Sequence, residues 1–114
     1  MTTCSNHFDQ PIGPALPDWT APRPLPKKVL QGRYCRVEPI DIAMHSEDLY
    51  NAISLDTEGR SWTYLAYGPF PNLKEYRDWI AATCLNDDPM FFAIIEEKTQ
   101  KAAGVASYID ITPT

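Results

Sequence analysis

The longest apolar run that no polar residue interrupts is Met90 to Ile95, MFFAII. A strand that meets water on one side alternates apolar with polar positions, so an unbroken run predicts a strand covered on both faces. A second run, Ala102 to Ile111, is nearly as apolar. Between them, Glu96 to Lys101 gathers charge at the place where water reaches, and the whole stretch from Pro89 to Ile111 predicts a hairpin. The sequence ends three residues later, so the expectation is a two-faced sheet with one face left open.

Upstream, Arg33 to Ile40 alternates Tyr34, Arg36 and Glu38 against Arg33, Cys35, Val37 and Pro39, which predicts a strand with Cys35 and Val37 toward the core. Asp41 then opens a helical spacing of Ile42, His45, Leu49, Ala52 and Ile53 over about 41–54. His45 on that stripe reads as a satisfied, half-buried histidine rather than a catalyst. A second helix over about 72–85 is signalled by Asn72 as N-cap with Glu75 three residues on. Its apolar stripe is Leu73, Tyr76, Trp79, Ile80, Thr83 and Cys84, and Asn86 to Pro89 is a turn into the hairpin.

Residues 1–31 differ in kind from 32–114. They hold six of the eleven prolines, and proline fixes φ and removes amide donors, so this stretch forms neither helix nor interior strand. Phe8, Ile12, Leu16, Trp19, Leu25, Val29 and Leu30 are too many apolar residues for a plain linker. An extended arm that lies along a folded surface is expected. The other unusual stretch is LDTEGRSWTYLAYGPFP, Leu55 to Pro71, where Trp62, Tyr64, Tyr67 and Phe70 crowd around the Gly68, Pro69 turn signal. Such a loop caps a core or lines a ligand pocket.

Composition narrows the function classes. A chain of 114 residues that is 44% hydrophobic and 22% charged suits one globular domain. Its net charge of −5, with basic residues clustered no further than Lys27, Lys28, argues against nucleic acid and anionic membranes as partners. No apolar run has the length of a membrane helix, and a cytoplasmic location is expected. Cys4, Cys35 and Cys84 are scattered and read as reduced thiols rather than metal ligands. The five glycines stand no closer than nine residues apart, so there is no cradle of close glycine amides for a phosphate. Neither Ser61 nor Ser107 sits in a nucleophile elbow, and the carboxylate pairs Asp87, Asp88 and Glu96, Glu97 read as solvated turn charges.

The order of elements and three segments resemble the N-terminal half of the GNAT acyl-CoA N-acyltransferases, in their RimJ/RimL-like branch. The segments are GRYCRVEPID (Gly32 to Asp41), WTYLAYGPF (Trp62 to Phe70) and DPMFFAIIEEKTQKAAGVASYIDI (Asp88 to Ile111). The resemblance implies an α/β (α+β) fold with the order β-α-α-β-β in a mixed, mainly antiparallel sheet. It implies acetyl transfer from acetyl-CoA to a primary amine on a small molecule or protein, with Trp62, Tyr64, Tyr67, Phe70 and Tyr108 bordering the acceptor pocket. The family's fourth strand, its coenzyme A pyrophosphate loop and its late tyrosine would fall beyond Thr114, so the chain alone is expected to be inactive, with no catalytic residue assigned. Gln100 stands where relatives tend to carry glycine in the hairpin turn. The alternative is a non-catalytic binding or assembly module that forms a homodimer through its open sheet face.

Overall fold

A computed structural model describes residues 4–112. Residues 1–3 of the expected arm and 113–114 of the expected domain lie outside the described residues. The chain is elongated, 59 × 30 × 24 Å with a radius of gyration of 20.0 Å, where a compact domain of this length would have roughly 13 Å. The excess comes from the arm. Strands β1 (Cys4–Ser5) and β2 (Pro11–Ile12) pair antiparallel into a small hairpin, and residues 7–34 are exposed throughout. The arm therefore lies along the body only in part. Lys27 ties it down, pairing with Asp87 at 3.1 Å and donating to the Leu85 carbonyl at 3.3 Å.

Strand β3 (Leu30–Gln31), contributed by the arm, opens a four-stranded sheet completed by β4 (Cys35–Pro39), β5 (Met90–Glu96) and β6 (Lys101–Tyr108), in that order. Every pairing in it is antiparallel. The expected order of strand, two helices and two strands holds, with β3 as an addition; the described sheet carries no parallel pair. β5 is central and buried from Met90 to Ala93 and at Ile95. β6 is an edge strand, mostly exposed, and leaves the sheet at Tyr108 rather than continuing to Ile111.

The facing of β4 corrects the sequence expectation. Arg36 lies opposite Ile95 and Glu38 opposite Ala93, and directly opposed residues share a face. Ile95 and Ala93 belong to the core under the helices, so Arg36 and Glu38 point toward the helix layer. Val37, opposite Leu30 and Ile94, points the other way. The inward charges are compensated. Glu38 accepts from Arg36 Nε at 2.6 Å and meets His45 Nε2 at 2.9 Å, while Glu97 accepts from Gln31 at 2.9 Å and from Arg36 at 3.3 Å. His45 Nδ1 accepts the Asp41 N–H at 3.0 Å, which leaves the ring proton on Nε2 to donate to Glu38. Both histidine nitrogens are engaged, and Glu97 is a network member rather than a solvated turn charge.

Helix α1 (Ile42–Ile53) begins where Asp41 accepts from the Met44 amide. Helix α2 (Leu73–Trp79) begins where Asn72 accepts from the Glu75 amide at 2.9 Å. It is shorter than expected because Ile80–Cys84 widens into a π-helical turn, yet the stripe keeps its facing, with Tyr76, Ile80 and Cys84 buried. The helices are joined by Arg77, which donates to Ser46 Oγ at 2.9 Å. Together they cover one face of β5, and the core is Leu49, Tyr76, Ile80, Phe91, Ala93 and Ile95 with their neighbours.

Candidate functional site

The loop between α1 and α2 is built on Asp56. Its carboxylate accepts the Arg60 and Ser61 amides at 3.2 and 2.8 Å, and these bonds, that of Ser61 foremost, hold it below the usual carboxylate range. Gly59 takes a left-handed φ of 69° just before the 3-10 turn Arg60–Trp62, so the chain reverses and carries Trp62 back toward the helices. The loop then passes over that indole at Gly68, whose φ is 76° and whose missing Cβ would lie 2.5 Å from the ring. Only glycine fits both requirements.

Trp62 leads into a continuous aromatic chain. Its ring centroid lies 5.6 Å from Phe70 and 6.1 Å from Tyr67. Phe70 sits 5.2 Å from both Tyr76 and Trp79, Tyr67 sits 4.6 Å from Trp79, and Trp79 meets Phe91 of β5 edge-on at 5.8 Å. The loop is thereby fastened through α2 to the central strand. Of the five residues expected to line a site, the structure brings Trp62, Tyr67 and Phe70 together. Tyr64, 99% exposed, stands outside the cluster, and Tyr108 packs on Phe92 at 5.8 Å on the opposite face of the sheet.

Two hollows flank Trp62. One is a cleft of about 500 Å³ walled by Tyr50, Ile53, Asp56, Glu58, Phe70 and their neighbours. The other, about 130 Å³, runs under Leu65 and Tyr67 to Gly104 and Val105 of β6, the strand that has no partner on its outer side among the described residues. The electrostatics are one-sided: residues 41–79 hold seven Asp or Glu against Arg60, Lys74 and Arg77, a net −4 of the chain's −5. Burial pushes the Tyr76 hydroxyl and the Cys84 thiol each up to about 12, so both stay protonated at neutral pH. This arrangement suits holding an organic cation between rings and carboxylates, and the protonated Tyr76 and Cys84 supply no base for it at neutral pH.

Sequence reasoning passed over Asp56, Tyr50 and the site-facing role of Trp79. Asp56 was findable, since Asp-Thr-Glu-Gly is a turn whose leading aspartate can cap the amides just after it. Trp79 was hidden by its place in the α2 stripe. The N-termini of α1 and α2 are capped by the Asp41 and Asn72 side chains. No helix is long and apolar enough to cross a membrane, and no group of three potential ligands could hold a metal ion, among the described residues.

No protein-family model matches the chain, and no curated protein does. Solved structures do. A GCN5-related N-acetyltransferase from Brucella melitensis superposes with a TM-score of 0.82 at 31% identity, over 87% of this chain and 45% of that one. A probable acetyltransferase of the GNAT family from Chromobacterium violaceum gives a TM-score of 0.77 at 23% identity, over 92% of this chain and 52% of that one. The chain has the fold of these N-acetyltransferases over about half their length.

Proposed function

We propose that the chain is the N-terminal portion of a GNAT N-acetyltransferase of the RimJ/RimL-like branch, acting in the cytoplasm on a primary amine with acetyl-CoA as the acetyl donor. The observation that carries this reading is the match to the Brucella melitensis enzyme, 31% identical over 87% of this chain, with the aromatic loop where the segment Trp62 to Phe70 resembles the family. In this reading Trp62, Tyr67 and Phe70 wall the acceptor side, Asp56 adds a fixed negative charge, and Tyr64 and Tyr108 stand at its margins.

The residues present do not fit the donor's pyrophosphate: the glycines are isolated and both helix N-termini are occupied by their own caps. The chain by itself is therefore a binder of the acceptor rather than of acetyl-CoA. Two titrations test this. Primary amines should perturb the Trp62 indole and Tyr67 signals in NMR spectra of the full chain, whereas calorimetry with acetyl-CoA should show no tight binding. Micromolar acetyl-CoA affinity would remove the claim that the chain alone is inactive. Amines that leave Trp62 and Tyr67 unmoved would remove the acceptor assignment.

A further inference from the structure

The most deeply buried polar side chains differ in how they are satisfied. Ser46 donates to the Ile42 carbonyl and accepts from Arg77, and His45 uses both ring nitrogens. Tyr76 is only 2% exposed, yet its hydroxyl makes no hydrogen bond among the described residues. Every side-chain oxygen or nitrogen that is sealed from solvent among those residues has a partner, so the Tyr76 hydroxyl is not sealed. It faces open space, and the space that Tyr76 walls is the hollow of about 130 Å³ beneath Leu65 and Tyr67.

That hollow runs inward from Leu65 and Val105, both exposed, to Leu49 and Tyr76, both buried. Helix α1, the loop, α2 and β6 all contribute walls, so it is enclosed by this chain itself rather than left open as a face. A cavity of roughly 150 Å³ with aliphatic and aromatic walls takes benzene, so this one is ring-sized. Water at the closed end would need about two to four polar partners, and Leu49 beside the hydroxyl offers none. A buried polar group without a partner is an exception that calls for one. Because burial raises the phenol to about 12, the hydroxyl keeps its proton and can both donate and accept.

We propose that this hollow is a binding site for a neutral, benzene-sized aromatic ring with one hydrogen-bonding substituent, a ligand of the phenol class, whose substituent pairs with the Tyr76 hydroxyl. The ring then lies among Leu49, Ile53, Trp62 and Trp79. The site shares Trp62 and Tyr67 with the acceptor reading but does not rest on it, since phenol carries no amine and its binding is measured separately from that of amines.

Methyl-resolved NMR on the full chain, titrated with phenol and separately with benzene, tests the site. Phenol should shift the Leu49 and Ile53 methyls saturably, with a Kd of about 1 mM or tighter, and leave Leu30 and Val37 on the opposite face of the sheet unmoved. Tyr76→Phe keeps the ring and removes the hydroxyl. It should weaken phenol about tenfold and benzene less than about twofold, with unchanged far-UV circular dichroism. Leu65→Trp, at the exposed mouth, should obstruct the entrance and weaken both ligands about tenfold. The proposal is overturned if phenol gives no saturable shift at Leu49, if its shifts centre on Leu30 and Val37, if its binding survives both variants, or if Tyr76→Phe costs phenol and benzene equally.

Discussion

Strands β5 and β6 are neighbours joined by one tight turn and almost equally apolar, yet β5 is buried along nearly its whole length and β6 mainly at Ala102. The difference lies in what flanks them. β5 has a strand on each side, α1 and α2 over Phe91, Ala93 and Ile95, and Leu30, Val37 and Tyr108 around Phe92. β6 has a strand on one side, and on its outer side none among the described residues. Apolar composition therefore records the capacity to be buried, while position in the sheet decides whether that capacity is used.

The contrast can be tested by removing its parts. Phe91→Ala takes a 7% exposed ring from the centre of the core and should cost about 3–5 kcal/mol in urea denaturation. Gly68→Ala forces a side chain into a left-handed position already filled by the Trp62 ring. A loss of about 2 kcal/mol is expected, with a changed near-ultraviolet dichroism of the tryptophans that Phe91→Ala would not reproduce at equal stability.

The polar margin of the sheet should show itself in pH. Glu38, through its hydrogen bond from Arg36, and Glu97, through that from Gln31, are both held below their ordinary value of 4.5. A carboxylate whose folded value is lowered stabilises the fold above its unfolded value, and that stability is lost as pH falls through the folded one. Thermal midpoints should accordingly fall as the pH is lowered below about 4.5. Glu38→Gln should cost about 1–2 kcal/mol at neutral pH and make the acid side of the profile shallower. At the far end of the scale, Val105→Ala on β6, already 40% exposed, should change stability by about 0.5 kcal/mol or less. A loss there as large as at Phe91 would break the comparison.

The same contrast explains what the sequence could disclose. The α2 stripe and its Asn72 cap were legible because a 3.6-residue period and a capping side chain are local facts. Alternation in β4 disclosed a period of two but not its phase. Cys35 and Val37 were the natural choice for the core, and only the distant partners His45, Gln31 and Glu97 let Arg36 and Glu38 take that side. Trp62, Tyr67 and Phe70 were identifiable as a group by their density. The separate positions of Tyr64 and Tyr108 were not, because a loop has no period and the face of an edge strand depends on its neighbour's register. The arm's strand β3 was invisible for a related reason: two residues signal nothing until they find Val37 and Arg36.

Gln100 sits in the hairpin turn with a left-handed φ of 59°, a conformation glycine would adopt without strain. Its side chain accepts from Arg36 at 2.7 Å and donates to the Glu97 carbonyl at 2.8 Å. Glycine there would relax the backbone and leave the guanidinium one acceptor short, two changes of opposite sign and similar size. The effect of changing residue 100 is thus conditional on residue 36. With arginine at 36 both glutamine and glycine are viable at 100; with a short neutral residue at 36, glycine is favoured. Positions 36 and 100 should covary, though they are far apart in sequence and neither approaches the aromatic site.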